Sequence, residues 1–150
     1  MSELVKVPLS ELYELDETAW LEQMSRLAGQ RRFNKMDHEH LSEYLSDMAR
    51  RDKREVWSRL VILMKHLLKW HYQPKKRTKS WRNTIHEQRS ELSFDMKSGS
   101  LRRHAGEVLG EAYAEAVERA ARETGLAKAK FPAELPWTLD QVLHQELDAE

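Results

Sequence analysis

Apolar side chains recur along this chain at spacings of three and four, the period of an α-helix with one buried face. Leu12, Leu15, Ala19, Trp20, Met24 and Leu27 form the first series, with Ser10 placed to cap it and Gly29 to close it. Residues 30–36 read as a connection. Asp37 then stands as an N-cap before a run over 38–49 that carries Leu41, Tyr44, Leu45 and Met48. The strongest signal lies at 53–72. Val56, Leu60, Leu63, Leu67 and Trp70 make one stripe, and Trp57, Val61, Met64 and Leu68 make a second beside it. Two adjacent stripes predict a central helix with neighbours on two sides, leaving Arg54, Ser58, Lys65, Lys69 and Tyr72 as its polar strip. Asp52 followed by Glu55 has the spacing of a capping box, which favours separate helices before and after it; without that break, residues 38–72 form one long helix.

Gln73-Pro74 ends the central helix, because the residue before proline is pushed out of the α region. Ser80 is placed to cap a helix running to Asp95, with Trp81, Ile85, Gln88 and Leu92 on one side. A loop at 97–100 leads to a helix over 101–124, whose inward positions are Leu101, Val108, Leu109, Ala112, Tyr113, Ala116 and Ala120. Gly125 closes it. The tail, 127–150, contains Phe131-Pro132 and Pro136, and Thr138 starts a last short helix over 139–147. No segment alternates with period two, so no sheet is expected. The reading is one all-α domain over 1–150, a bundle of five to six helices. Its expected core includes Trp20, Leu45, Leu60, Leu63, Leu67, Trp70, Trp81, Ile85, Leu109 and Tyr113.

A chain of 150 residues can bury about 68–70% of its unfolded surface, enough for one core without staples. The absence of cysteine removes disulfides, thiolate metal sites and a thiol nucleophile. No apolar run approaches the length of about 18 residues that a membrane span requires, and the first residues lack the apolar region of a secretory leader. A cytoplasmic protein is the expectation. Charge changes the picture more. The total is zero, but residues 1–48 carry 5 basic and 10 acidic side chains, residues 50–92 carry 13 and 4, and residues 104–150 carry 4 and 10. The basic middle can attract a polyanion or can be neutralised by acidic helices packed around it.

Candidate chemistry is sparse. No glycine-rich phosphate loop, nucleophile elbow or H-E-x-x-H occurs. His38 and His40 are two residues apart, so on a helix their rings point about 200° apart and cannot share an ion. Neither a metal nor another cofactor is expected. Arg59 and His66 lie two turns apart on one face and resemble the arginine–histidine signature of HEPN-type ribonucleases. In that alternative His66 would move protons and Arg59 would hold a phosphate. Glu55, one turn before Arg59, offers the competing ion pair. Lys75, Lys76, Arg77, Lys79, Arg82 and Arg89 are interleaved with Trp70, Tyr72 and Trp81, a composition that grips phosphates and stacks bases, or anchors a core beside a cationic connector.

The middle of the chain also resembles a known family. His66-Leu67-Leu68-Lys69-Trp70, Gln73-Pro74, Arg77, Ser80-Trp81, Thr84-Ile85 and Gln88-Arg89 are similar to the hallmark run of domain-of-unknown-function family twenty-nine, small bacterial helical proteins with no assigned activity. The likeness extends to Leu12-Tyr13, Asp16 and Ala19-Trp20-Leu21 at the start. At the end it takes in Ala112-Tyr113, Glu123-Thr124-Gly125-Leu126, Phe131-Pro132 and Pro136-Trp137-Thr138-Leu139. Ala49 departs from it, standing where the family pattern has a glycine at a helix break, which puts the split near Asp52 in question. The resemblance implies a single all-α domain and no catalytic assignment. It gathers His66, Lys69, Gln73, Arg77, Ser80 and Arg89 at one helix–loop–helix corner. That corner is either a binding site or a knot that satisfies backbone groups freed at helix ends. The expected function is a non-enzymatic interaction module. It would use this corner for a protein or nucleic-acid partner within the basic segment 50–92, and a homodimer is compatible with the same reading.

Overall fold

A computed structural model of the chain describes residues 7–148. Among them are six α-helices and no strand: α1 (Leu9–Leu15), α2 (Glu17–Gly29), α3 (His38–Tyr72), α4 (Lys79–Asp95), α5 (Gly99–Thr124) and α6 (Leu139–His144). The all-α expectation holds. The chain divides into two compact units, one up to Arg50 and one from Arg51. Residues 38–50 of α3 belong to the first, and residues 51–72 to the second.

In the first unit, Leu12, Trp20 and Met24 are buried, with Tyr13, Leu21, Leu41 and Tyr44 packed on them. The single first helix expected from the periodicity is two. Asp16 leaves the helical conformation, and its carboxylate accepts from the Ala19 amide at 3.1 Å, starting α2. The cap bond outweighs continuity across one acidic residue, and Ser10 lies inside α1 rather than capping it. Leu45, expected in the core, is 58% exposed. The inward stripe of α3 here runs through Leu41, Tyr44 and Met48, and Leu45 sits about 100° away from Tyr44.

Gly29 does not close α2 from the C′ position. The Arg31 amide donates to the Ala28 carbonyl and the Arg32 amide to the Leu27 carbonyl, a Schellman pair, and Arg31 takes the left-handed conformation with φ 58°. A β-carbon costs about 1–2 kcal/mol in that region. Arg31→Gly is therefore expected to stabilise the first unit by about 1 kcal/mol, read as a raised melting temperature. An unchanged or lowered melting temperature would contradict this account of the turn.

The expected break at Asp52 does not occur: α3 is one helix of 35 residues, so the central helix begins at His38 and not near residue 53. No Gly or Pro lies between 38 and 72, and Ala49 is the best helix former at the doubtful spot. An interior Asp costs about 0.7 kcal/mol at most, less than abandoning a turn of hydrogen bonds. In the second unit both stripes of α3 are inward. Val56, Leu60, Val61, Leu63, Met64, Leu67, Leu68 and Trp70 are buried with Ile85 and Leu92 of α4, Leu109 and Tyr113 of α5, and Val142 and Leu143 of α6. Trp81, expected in the core, is only partly buried. Thr78 caps α4 in place of Ser80, accepting from the Trp81 amide at 3.1 Å, and the helix starts at Lys79. Ser98 caps α5, which begins at Gly99. A Thr138–Gln141 capping box starts α6, which stops at His144 rather than 147.

Candidate functional site

The corner where α3 ends and α4 begins has two layers. The inner layer consists of side chains turned onto protein acceptors. Arg77 Nε donates to the Trp70 carbonyl at 2.8 Å, one of the four carbonyls a helix leaves open at its C-terminus, and its guanidinium stacks 4.7 Å from the Trp70 ring. Arg89 Nε donates to the Val142 carbonyl at 2.9 Å and so ties α6 to α4. His66 Nδ1 lies 2.8 Å from the Ile62 carbonyl of its own helix. Burial pushes the His66 pKa below its ordinary value; the Ile62 carbonyl opposes this, and Lys65 and Lys69 add to it. Lys69 Nζ donates to Glu123 at 3.1 Å and sits 5.2 Å from the Trp81 ring, and Lys65 reaches the same carboxylate at 2.9 Å. Burial pushes the Glu123 carboxyl up, but these two lysines outweigh it and hold it below its usual range. Among the described residues no buried side-chain nitrogen or oxygen lacks a partner.

The outer layer is the connector. Pro74–Lys76 form a 3-10 turn, and Tyr72, Gln73, Pro74, Lys75 and Lys76 line a hollow of about 310 Å³. Its walls are the ring of Tyr72, which is 40% exposed, the proline, and the lysine stems. Residues 71–82 hold five Lys and Arg and no Asp or Glu. Lys75, Lys76 and Lys79 are exposed, and among the described residues no carboxylate lies within ion-pair distance of them. Of the six residues expected to bind, Gln73 lines this hollow and Ser80 is exposed in the first turn of α4; His66, Lys69, Arg77 and Arg89 form the inner layer. Trp70 is fully buried, so it presents no face for a base to stack on.

Arg59 and His66, the alternative catalytic pair, have separate engagements. Arg59 donates to Glu55 at 2.7 and 3.1 Å and to Gln88 at 3.2 Å, with Glu91 at 3.8 Å. An arginine already held by a carboxylate is a poor clamp for a phosphate.

The first unit holds a polar cluster that spacing does not reveal. The Asp37 carboxylate accepts from Trp20 Nε1 at 3.1 Å, from the His40 amide at 3.3 Å and from His40 Nδ1 at 2.7 Å. The His40 ring stacks on Tyr13 at 4.3 Å. Burial pushes the Asp37 carboxyl up, but these hydrogen bonds hold it below its ordinary value. The bond to Asp37 raises the His40 pKa. The His38 ring turns instead to the Phe33 carbonyl. Among the described residues no group of three His, Asp or Glu is placed to hold a metal ion, and no helix is long and apolar enough to cross a membrane. A family model described as "Domain of unknown function DUF29" matches residues 12–147. No curated protein and no solved structure matches the chain.

Proposed function

We propose, starting from the fact that this chain belongs to the family of the domain of unknown function DUF29, that it is a binding module and not an enzyme. Its partner is an acidic protein segment carrying an apolar side chain, taken up by the connector between α3 and α4. The observation that carries this is an apolar hollow bordered by lysines that have no carboxylate partner among the described residues, built on a corner whose inner cations are committed to protein acceptors. Committed side chains hold the corner rigid, and uncommitted ones are left for a partner. The apolar walls supply the affinity, and the cations choose the sign of the partner and speed its approach. A protein segment fits better than a nucleic acid. Trp70 is buried, Lys69 lies over Trp81, and Tyr72 has its ring set edge-on to Phe131 at 5.4 Å, so no row of exposed rings is offered for stacking.

The test uses fluorescence anisotropy with three probes: a glutamate-rich peptide bearing one phenylalanine, the same peptide with serine in its place, and a single-stranded RNA. The phenylalanine peptide should bind at low salt and weaken as salt rises. Lys75→Glu/Lys76→Glu should reduce its affinity by about tenfold or more, equivalent to about 1.4 kcal/mol. Both positions are exposed, so the variant should keep the wild-type circular dichroism and melting curve. Failure of the peptide to bind, or RNA binding that the variant leaves intact, would overturn the reading.

A further inference from the structure

The second unit carries a surface that matches this hollow. Phe94, near the C-terminus of α4, is 66% exposed. It borders a hollow of about 420 Å³ together with Asp52, Glu55, Asp95, Lys97, Ser98 and Leu101. Glu91 lies one turn before Asp95, and Lys97 Nζ sits 5.1 Å from the Phe94 ring. Arg59 is the cation assigned to Glu55 and Glu91; among the described residues Asp52 and Asp95 have none within ion-pair distance. Burial and the neighbouring Glu55, Glu91 and Asp52 push the Asp95 carboxyl up, with Arg59 opposing. The lining of the hollow itself carries three carboxylates, Asp52, Glu55 and Asp95, against the single cation Lys97.

An exposed aromatic set among carboxylates has the chemistry that the lysine-bordered hollow at Tyr72–Lys76 accepts. We infer that the partner of that hollow is a second copy of this chain, whose Phe94 enters between Tyr72, Pro74, Lys75 and Lys76 while the lysines meet Asp52, Glu55 and Asp95. The inference rests on the function proposed above and names the partner for the same site. Charge complementarity selects the occupant: the connector has no acidic residue over 71–82, and the patch around Phe94 has a surplus of them. An aromatic anchor that fills a pocket, ringed by opposite charges, is the usual make-up of an energetic hot spot. The two surfaces are different parts of one unit, so the contact is head-to-tail. A pair joined in this way keeps one surface of each kind free, so assembly grows until it closes into a ring or continues as a filament.

Analytical ultracentrifugation with two variants tests this. The wild type should show a sedimentation coefficient that rises with protein concentration and falls with salt. Phe94→Ser removes an exposed ring and Lys75→Glu/Lys76→Glu reverses the pocket's charge, and each variant alone should sediment as a monomer. Mixed, they should form a one-to-one complex and nothing larger, because the first retains the pocket and the second the ring. Circular dichroism of each variant establishes that it is folded. A wild type that stays monomeric over the whole accessible concentration range overturns the inference, as does a mixture that stays monomeric. If the phenylalanine peptide binds in either case, the acidic-partner reading stands while self-association falls. If neither peptide nor second copy binds, both fall.

Discussion

Trp70→Ala is expected to destabilise the second unit by about 3–5 kcal/mol, the range for deleting a buried large aromatic side chain. Trp70 is fully buried, and its loss reaches beyond its own volume. The guanidinium groups of Arg77 and Arg82 lie 4.7 and 5.3 Å from its ring, and its indole nitrogen donates to the Asp148 carbonyl at 3.4 Å. Domains are stable by about 5–15 kcal/mol, so about a fifth or more of the margin would go. Urea denaturation gives the number directly. Trp70→Phe keeps a ring for the arginines and should lose clearly less. Equal losses in the two variants would show that neither the packing of a ring nor its contact with the cations carries the effect.

Asp37→Ala should have the second largest effect, confined to the first unit. It removes the α3 cap, about 1 kcal/mol. It also strips the acceptor from the buried Trp20 indole, about 1–3 kcal/mol more. The same cluster sets a pH dependence. Asp37 titrates below its ordinary value when folded, so its contribution is complete above the unfolded carboxyl value and is lost as pH falls through the lower folded one. His40 titrates above its ordinary value, so its contribution is complete below the unfolded imidazole value and is lost as pH rises through the higher folded one. The first unit should be most stable between about pH 4 and pH 6.5. Melting followed by the Trp20 indole proton resonance against pH checks this. The decline on the alkaline side should disappear in His40→Gln, and its persistence there would assign it to another group.

The hydrophobic period made most of the fold legible, because α3 through α5 bury long stripes and a stripe is visible in one dimension. What it hid were contests between local signals of similar strength. Asp16 and Asp52 are both acidic residues in the middle of apolar periods. Asp16 breaks its helix because the Ala19 amide reaches it at 3.1 Å, whereas α3 runs straight through Asp52. Nothing in the spacing separates the two. At the corner, the sequence identified the cations but not their direction. Arg77 and Lys75 read alike, yet one satisfies a helix carbonyl and the other lines a hollow. That distinction belongs to tertiary geometry. The Asp37 cluster was legible only as a cap, since its bond to Trp20 spans 17 residues.

The separations of the bonds that tie α3 and α4 to α5 and the tail differ sharply from that. Lys69 and Glu123 are 54 apart, Arg89 and Val142 are 53 apart, and Trp70 and Asp148 are 78 apart. A chain made from its N-terminus at about 5–20 residues per second can close the local contacts of the first unit while synthesis continues. The inner face of α3 in the second unit must wait for Phe131, Val142 and Leu143 before its core is complete. For several seconds the helix that buries the most residues therefore stands without its last covering segment. Folding of the second unit should then be slow for an all-helical domain, because its decisive contacts are among its least local.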